Sequence, residues 1–436
     1  MRDLAFLLFV GALLPIALLH PWVGIMLWTW ISVMNPHRLL WTINTWPVAA
    51  TVAGVTLLGL LLTRDKRRIP LTPATITLAL FALWICVASA FAIKYDHEMF
   101  SKVMKIIFMI FIALIVLSER RHIEWLTVIL TASIAFYGVK GGVFTLATGG
   151  GFRVWGPPGT FIGGNNEIAL AIVLIIPLMY FFYGYYKNRW LKFALIGSMV
   201  LCAIAALGTH SRGALLAIVA MAFLLWWRSD KKLILGPVLF LVGLVSLAFL
   251  PEEWWQRMGT IQNYEQDQSA MGRINAWHAM FNIAKDRFFG GGFDIYRYEV
   301  FQIYAPVPED VHAAHSIYLQ VLGEHGFIGL FLYLMIGFFT WQTAAWIRKH
   351  TRGVPEVEWT GRLAAMCQVS MFGFAVGGAF LSLAYFDLPY NITVLVVIMR
   401  MYVERKLKAI KTGESIPEDR TGLLTPRAVT ASAAPA

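Results

Sequence analysis

The feature that most constrains this chain is a succession of apolar runs, each about 20 residues long and bounded by charged residues. Such runs match what a helix needs to cross a hydrocarbon slab of about 30 Å. With 58% hydrophobic residues and a mean hydropathy of +0.65, the chain has too little polar surface to cover a soluble core. Backbone groups in lipid must pair internally, which leaves helices or closed barrels, and the runs lack the alternation of a barrel strand. The fold class expected is an all-α integral membrane protein.

Eleven spans read clearly, near residues 42–62, 73–92, 99–118, 125–146, 168–185, 193–208, 214–227, 233–250, 326–346, 363–384 and 392–403. Residues 4–34 supply one or two more, because Pro15 and Pro21 break that stretch into pieces expected to be too short to cross comfortably. About twelve transmembrane helices is the preferred count. Alternate loops carry the cations: Arg64, Lys66, Arg67 and Arg68; Arg120 and Arg121; Lys187, Arg189 and Lys192; Arg228, Lys231 and Lys232; Arg348, Lys349, Arg352 and Arg362; and the tail from Arg405. These loops are assigned to the cytoplasm, which puts 93–98, 147–167, 208–213, 251–325 and 385–391 outside. The net charge of +11 lies mostly between the spans, so it is read as topology and no nucleic acid partner is expected. No cleavable signal peptide is evident. Cys86, Cys202 and Cys367 each fall inside an apolar run and read as small hydrophobes.

The expected organisation is residues 1–250 as N-terminal transmembrane helices, 251–325 as one large periplasmic loop with short helices, 326–411 as C-terminal transmembrane helices, and 412–436 as a disordered cytoplasmic tail. An enzyme working on the outer face has no ATP or nucleotide sugar and must use a substrate already activated and delivered in lipid. The large loop collects the unusual residues. Arg273 to Arg287 spaces Ile274, Trp277, Phe281 and Ala284 as a helix expected to lie along the membrane surface. Gly290, Gly291 and Gly292 follow, read as a turn that lets backbone approach a ligand.

His312 and His315 come next, three apart and so on one helical face, followed by Glu324 and His325. Zinc would need a third and usually a fourth ligand that nothing fixes to that face, so no metal or cofactor is expected. A neutral imidazole can accept a proton near pH 7, so a general base is the preferred reading of these histidines. Asp310 is the rival base, and an interfacial histidine bonded to its surroundings is the plain alternative. Arg212, on a short external loop, could snorkel or could present its planar fork to a phosphate. Arg273 and Arg153 fit the same role, and three such arginines near one histidine would make a diphosphate clamp. Asn165 and Asn166 precede an apolar run, where asparagine is a good N-cap; a substrate contact, with Asn166 in a supporting role, is about as well motivated. Glu167 suits a first turn, and Lys102 and Lys105 occupy the outer half of a span.

Ser211-Arg212-Gly213, Gly272-Arg273 with Trp277, and His315 with Tyr318-Leu319 and Glu324-His325-Gly326-Phe327-Ile328-Gly329 together resemble the O-antigen ligase and polymerase superfamily. Met34-Asn-Pro-His-Arg38 and the Gly-Pro-Pro-Gly loop before Asn165 look like the branch of exosortase-associated O-glycosylation ligases. The resemblance implies a GT-C type glycosyltransferase of the bacterial inner membrane with its site facing the periplasm. It implies an undecaprenyl-diphosphate-linked glycan donor, a lipid A-core acceptor, and a metal-independent inverting transfer. His315 would then be the base, and Arg212 and Arg273 would neutralise the departing diphosphate. A repeat-unit polymerase and a protein O-oligosaccharyltransferase share donor and topology and differ in acceptor. A lipid-linked glycan flippase is the reading of another class. It would put ionisable groups near the midplane and show paired broken helices.

Overall fold

The computed structural model describes residues 1–63, 69–228, 232–233, 236–237, 241 and 268–413. Arg64 to Arg68, nearly all of the expected span 233–250, the first part of the large loop with Glu265 and Asp267, and the tail from 414 onward lie outside the described residues. The helices among the described residues are α1 (Arg2–Leu19), α2 (Pro21–Met34), α3 (Val48–Leu62), α4 (Pro73–Ala90), α5 (His97–Val116), α6 (Arg120–Ala147) and α7 (Asn165–Tyr185). They continue as α8 (Arg189–Gly208), α9 (Arg212–Arg228), α10 (Gln268–Asp286), α11 (Tyr298–Tyr304), α12 (Ile317–His350), α13 (Glu358–Gly378) and α14 (Asp387–Thr412). A 3-10 turn spans Pro36–Leu39, and no strand occurs among the described residues. Seven of these helices, α1, α4, α5, α6, α7, α8 and α12, are long and apolar enough to cross a membrane, and α2 and α3 are shorter apolar helices. The protein is therefore a helical membrane protein.

Helix α7 is the axis of the bundle: every side chain from Ile168 to Ile175 is fully buried, and α13, α8, α6 and α9 surround it. Helix α14 is buried from Asp387 to Met399 in the same way, against α12, α13, α5 and α6. Without a hydrophobic drive between helices in lipid, close approach depends on small residues. On α6, a Cβ at Gly142 would lie 2.2 Å from the Leu201 carbonyl oxygen, and one at Gly138 would lie 2.4 Å from Cys202 Sγ. Both glycines thus set how near α8 can come.

Two local expectations are corrected, and a third is extended. Pro15 does not break the first run: α1 continues through it, and the break falls at His20, ahead of Pro21 at the first position of α2. Helix α1 is consequently long enough to cross on its own, as membrane helices tolerate an internal proline. The span expected over 363–384 stops as a helix at Gly378, and Leu381 to Phe386 continue without helical structure except at a turn, most of them fully buried. Finally, α10 has a covered face that the expected stripe did not include. Ala276, Ala279, Met280 and Ile283 are its fully buried face, packed with Ile295, Phe301 and Ala314, while Phe281 is 46% exposed. These residues face inward because α12 and α11 pack there.

The glycine cluster 290–292 serves backbone rather than ligand. Helix α12 is broken at Gly326 (φ 67°, ψ −173°), which strands carbonyls of the preceding turn. Gly291 N–H donates to the Gly323 carbonyl at 2.8 Å and Gly292 N–H to the Glu324 carbonyl at 2.9 Å, while the Trp84 indole donates to the His325 carbonyl at 2.8 Å. The accounting that buried backbone requires is met from outside the helix. The other side of the cluster is held by Ile93 N–H to the Gly291 carbonyl at 2.9 Å and Arg287 Nη2 to the Phe91 carbonyl at 2.7 Å.

Candidate active site

The segment between α11 and α12 carries Asp310, His312 and His315 and has no helical structure to hold it. Two polar residues of α10 do so instead. Asn275 Nδ2 donates to the carbonyls of Val307 (2.7 Å) and Asp310 (2.9 Å), and its Oδ1 accepts from Val307 N–H at 2.9 Å. Trp277 Nε1 donates to the Ala314 carbonyl at 2.7 Å. Directly after this anchor His315 adopts a left-handed backbone (φ 44°), and Ser316 caps α12 by accepting from Leu319 N–H. A non-glycine residue in that region costs of order 1–3 kcal/mol and persists only where its surroundings over-determine it.

The His315 ring is partly buried, and its Nδ1 is buried without a hydrogen-bond partner among the described residues. Burial first, then the Arg273 guanidinium and His312, push the imidazole down to about 4, so it is neutral at pH 7. His312 Nδ1 lies 2.6 Å from Asp310 Oδ1. A Cβ on Gly272 would come within 2.7 Å of His312 Nδ1, so the glycine before Arg273 makes room for that ring. Arg273 also acts electrostatically on Glu167 at the start of α7, which ties the large loop to the bundle.

Arg212 opens α9 after a tight turn in which His210 has φ 57° and its Nε2 shares a 3.0 Å hydrogen bond with the Gly150 carbonyl oxygen. Val154 N–H donates to the Gly208 carbonyl at 3.1 Å, bringing the neighbouring Arg153 to the same turn. The route from Arg212 to His315 passes over the end of α13. A Cβ on Gly213 would sit 3.3 Å from Phe380 Cβ and 3.6 Å from the Gly377 carbonyl oxygen, and one on Gly378 would sit 2.5 Å from Ile317 Cδ1. Neither asparagine caps α7: Gly164 holds the N-cap position, and Asn165 Nδ2 donates to the Thr209 carbonyl at 2.9 Å. Asn166 follows it in the first turn, half-buried.

Glu324 and His325 do not join His312 and His315. They belong to a buried network at the break of α12, in which Tyr385 donates its hydroxyl to Glu324 Oε2 and Gln320 Nε2 donates to Oε1 at 3.3 Å. The His325 ring is 0% exposed and stands edge-on to Phe81, Phe293 and Tyr385. Asp294 and Glu299 are engaged at the surface, both with Arg297. Asn275 was missed as a positioning residue in the sequence; a polar side chain inside the small apolar stripe of α10 was its signal.

Two families match the chain. Residues 197–334 match the family described as O-antigen ligase, a stretch that includes Arg212, Arg273, His312 and His315. Residues 1–187, with Arg153 and Asn166, match a family of unknown function (DUF5935). No curated protein matches. The ligase match falls on the arginine-bearing turn, the anchored loop and the broken helix described above, and it supports a likeness of this part of the chain to the O-antigen ligase and polymerase superfamily.

Proposed function

We propose that the protein is a GT-C type glycosyltransferase of the bacterial inner membrane, crossing it about twelve times. It moves a glycan from undecaprenyl diphosphate to a sugar hydroxyl of lipid A-core on the periplasmic face. The observation that carries this reading is a neutral His315 in the field of Arg273, two residues ahead of an apolar cleft. The cleft, about 260 Å³, lies between α12, α13 and α14 and begins at Ile317 and Tyr318. Its wall offers hydrocarbon, because the hydroxyls of Tyr318 and Tyr390 are bonded to the carbonyls of Ala375 (2.7 Å) and Ala384 (2.8 Å). A cationic, proton-accepting head beside an apolar trough suits a substrate with a charged diphosphate and a prenyl tail.

In the proposed step the acceptor oxygen attacks the anomeric carbon, its proton passes to His315 Nε2, and the bond from that carbon to the phosphate oxygen breaks with inversion. The electron pair leaves on undecaprenyl diphosphate, where Arg212, Arg273 and Arg153 neutralise it. Charge grows on the leaving group in the transition state, so fixed cations there lower the barrier more than they bind the ground state. His312, paired with Asp310, and Asn166 support the site. Asp310 is the weaker candidate for the base because it already faces His312.

The test is glycan transfer by the purified full chain in liposomes, with chelator present, from undecaprenyl diphosphate donor to lipid A-core. Transfer that survives chelation and falls about 100-fold or more in Arg212→Gln and Arg273→Gln, and is abolished in His315→Ala, supports the reading. Glycopeptide or lengthened polymer in place of glycosylated lipid A-core overturns the acceptor; full activity of folded His315→Ala overturns the base.

A further inference from the structure

A second cationic group sits in the part of the chain that the ligase family match does not reach. Arg38 stands on the 3-10 turn after α2, and Lys102 on the first turns of α5. Both rest on the turn Pro157–Phe161: Lys102 Nζ lies 4.0 Å from the centroid of the Phe161 ring, and the Cβ position of Gly159 is 3.8 Å from Arg38 Nη1. Gly159 has φ 72°, the left-handed backbone that lets the turn fold here. Arg38 and Lys102 act on each other electrostatically. Among the described residues neither has a carboxylate within ion-pair distance or a hydrogen-bond partner, and the Nδ1 of adjacent His37 is buried without a partner.

The arrangement is built to hold Arg38 in place. Asn35 takes a left-handed backbone (φ 52°) and bonds its Nδ2 to the Ser32 carbonyl at 2.7 Å, while Tyr137 donates its hydroxyl to the Met34 carbonyl at 2.6 Å. Among the described residues only Asn35, His210 and His315 combine a side chain with positive φ. His210 lies in the arginine turn, and His315 is the candidate base. Two like charges that rest on one turn and act on each other repel, and an anion between them removes that cost.

We propose that Arg38 and Lys102 form a second anion subsite, distinct from the arginines around His315, which takes a phosphate group carried on a lipid. The charges beside His315 are Arg273 and His312, whereas those beside Lys102 are Arg38, Glu98 and Asp387. The loop between α6 and α7 joins them, with Arg153 at one end and the Gly159–Phe161 turn further along. The anion site stands on this geometry; its assignment to a lipid-borne phosphate, as on the acceptor or on a neighbouring phospholipid, rests on the ligase reading.

The experiment uses the full chain in phosphatidylcholine nanodiscs, titrated with inorganic phosphate and followed by thermal stability. The response is expected to persist in Arg212→Gln/Arg273→Gln, to vanish when Arg38→Gln/Lys102→Gln is added in that background, and to return when the added pair is the charge-conserving Arg38→Lys/Lys102→Arg, which separates lost binding from misfolding. A response kept when all four residues are changed to Gln, or missing from the wild type, overturns the subsite. Adding lipid A or phosphatidylglycerol to the discs names the source, since the one that fills the site abolishes the response to free phosphate. If neither lipid does so, the assignment to a lipid-borne phosphate is overturned. Because no transfer is measured, a wild type that binds phosphate but transfers nothing would sink the ligase reading and leave the subsite standing.

Discussion

The indole of Trp277 holds the carbonyl of Ala314 at 2.7 Å, and this one bond fixes the residue before His315 to α10. Its energetic value is modest, since a neutral hydrogen bond contributes about 1 kcal/mol net. Its positional value is larger, because His315 follows it with a left-handed backbone. Trp277→Phe keeps most of the ring and removes the donor. It should lower stability by about 1 kcal/mol, leave KM for the donor nearly unchanged, and cut kcat by about 10-fold or more, as misplacement of a reacting group does. Steady-state kinetics beside a thermal melt check this; a KM effect without loss of kcat would place Trp277 in substrate binding instead.

Gly272 and His312 form a steric pair. An alanine at 272 puts a methyl within 3 Å of three atoms of the His312 ring, so His312 must leave its place opposite Asp310. Gly272→Ala should therefore lower both activity and melting temperature. The double variant Gly272→Ala/His312→Ala removes the obstacle and should recover the melting temperature of His312→Ala, with a coupling of about 0.5–3 kcal/mol. Additive losses in the cycle would mean that the glycine serves α10 in some other way.

The bundle was legible in the sequence because length and apolarity of a segment are local properties: α4 through α9 fall within a few residues of the expected spans. What failed depended on partners far along the chain. The covered face of α10 went unread, since nothing local reveals that α11 and α12 pack on Ala276 and Ala279. Gly290 to Gly292 read as a ligand turn, because the stranded carbonyls of α12 that they satisfy lie more than 30 residues away in sequence. Of the site, the structure puts Arg273, His312 and His315 in one electrostatic group. Arg153 shares the turn of Arg212, and contacts across Gly377 and Gly378 connect that turn to the start of α12 after His315, which no spacing could have shown.

The break in α12 demands glycine at 326 twice over. Its φ of 67° disfavours any side chain, and a Cβ there would lie 2.5 Å from the Phe288 carbonyl oxygen. Gly326→Ala should cost at least ~1–3 kcal/mol and lower the melting temperature in detergent. Gly197→Ala on α8, where a Cβ meets nothing within 4 Å, is the control and should be neutral or stabilising by up to ~1 kcal/mol. Equal shifts in both variants would show that α12 straightens without penalty.

The pH dependence of transfer reports on His315 with a definite sign. Only the neutral imidazole can take the acceptor proton, so activity falls as pH drops through its pKa. In the free enzyme burial, Arg273 and His312 hold that value at about 4, and the acid limb of kcat/KM is expected there. A bound diphosphate offsets the Arg273 charge and favours the imidazolium, so the acid limb of kcat should lie at higher pH than that of kcat/KM. By the same sign, Arg273→Gln removes a neighbouring cation and should move the kcat/KM limb upward, while lowering the rate at its plateau. Rate profiles from pH 3.5 to 8, with melts at each end to exclude unfolding, separate these outcomes. A limb that ignores Arg273→Gln would assign the titrating base to a group other than His315.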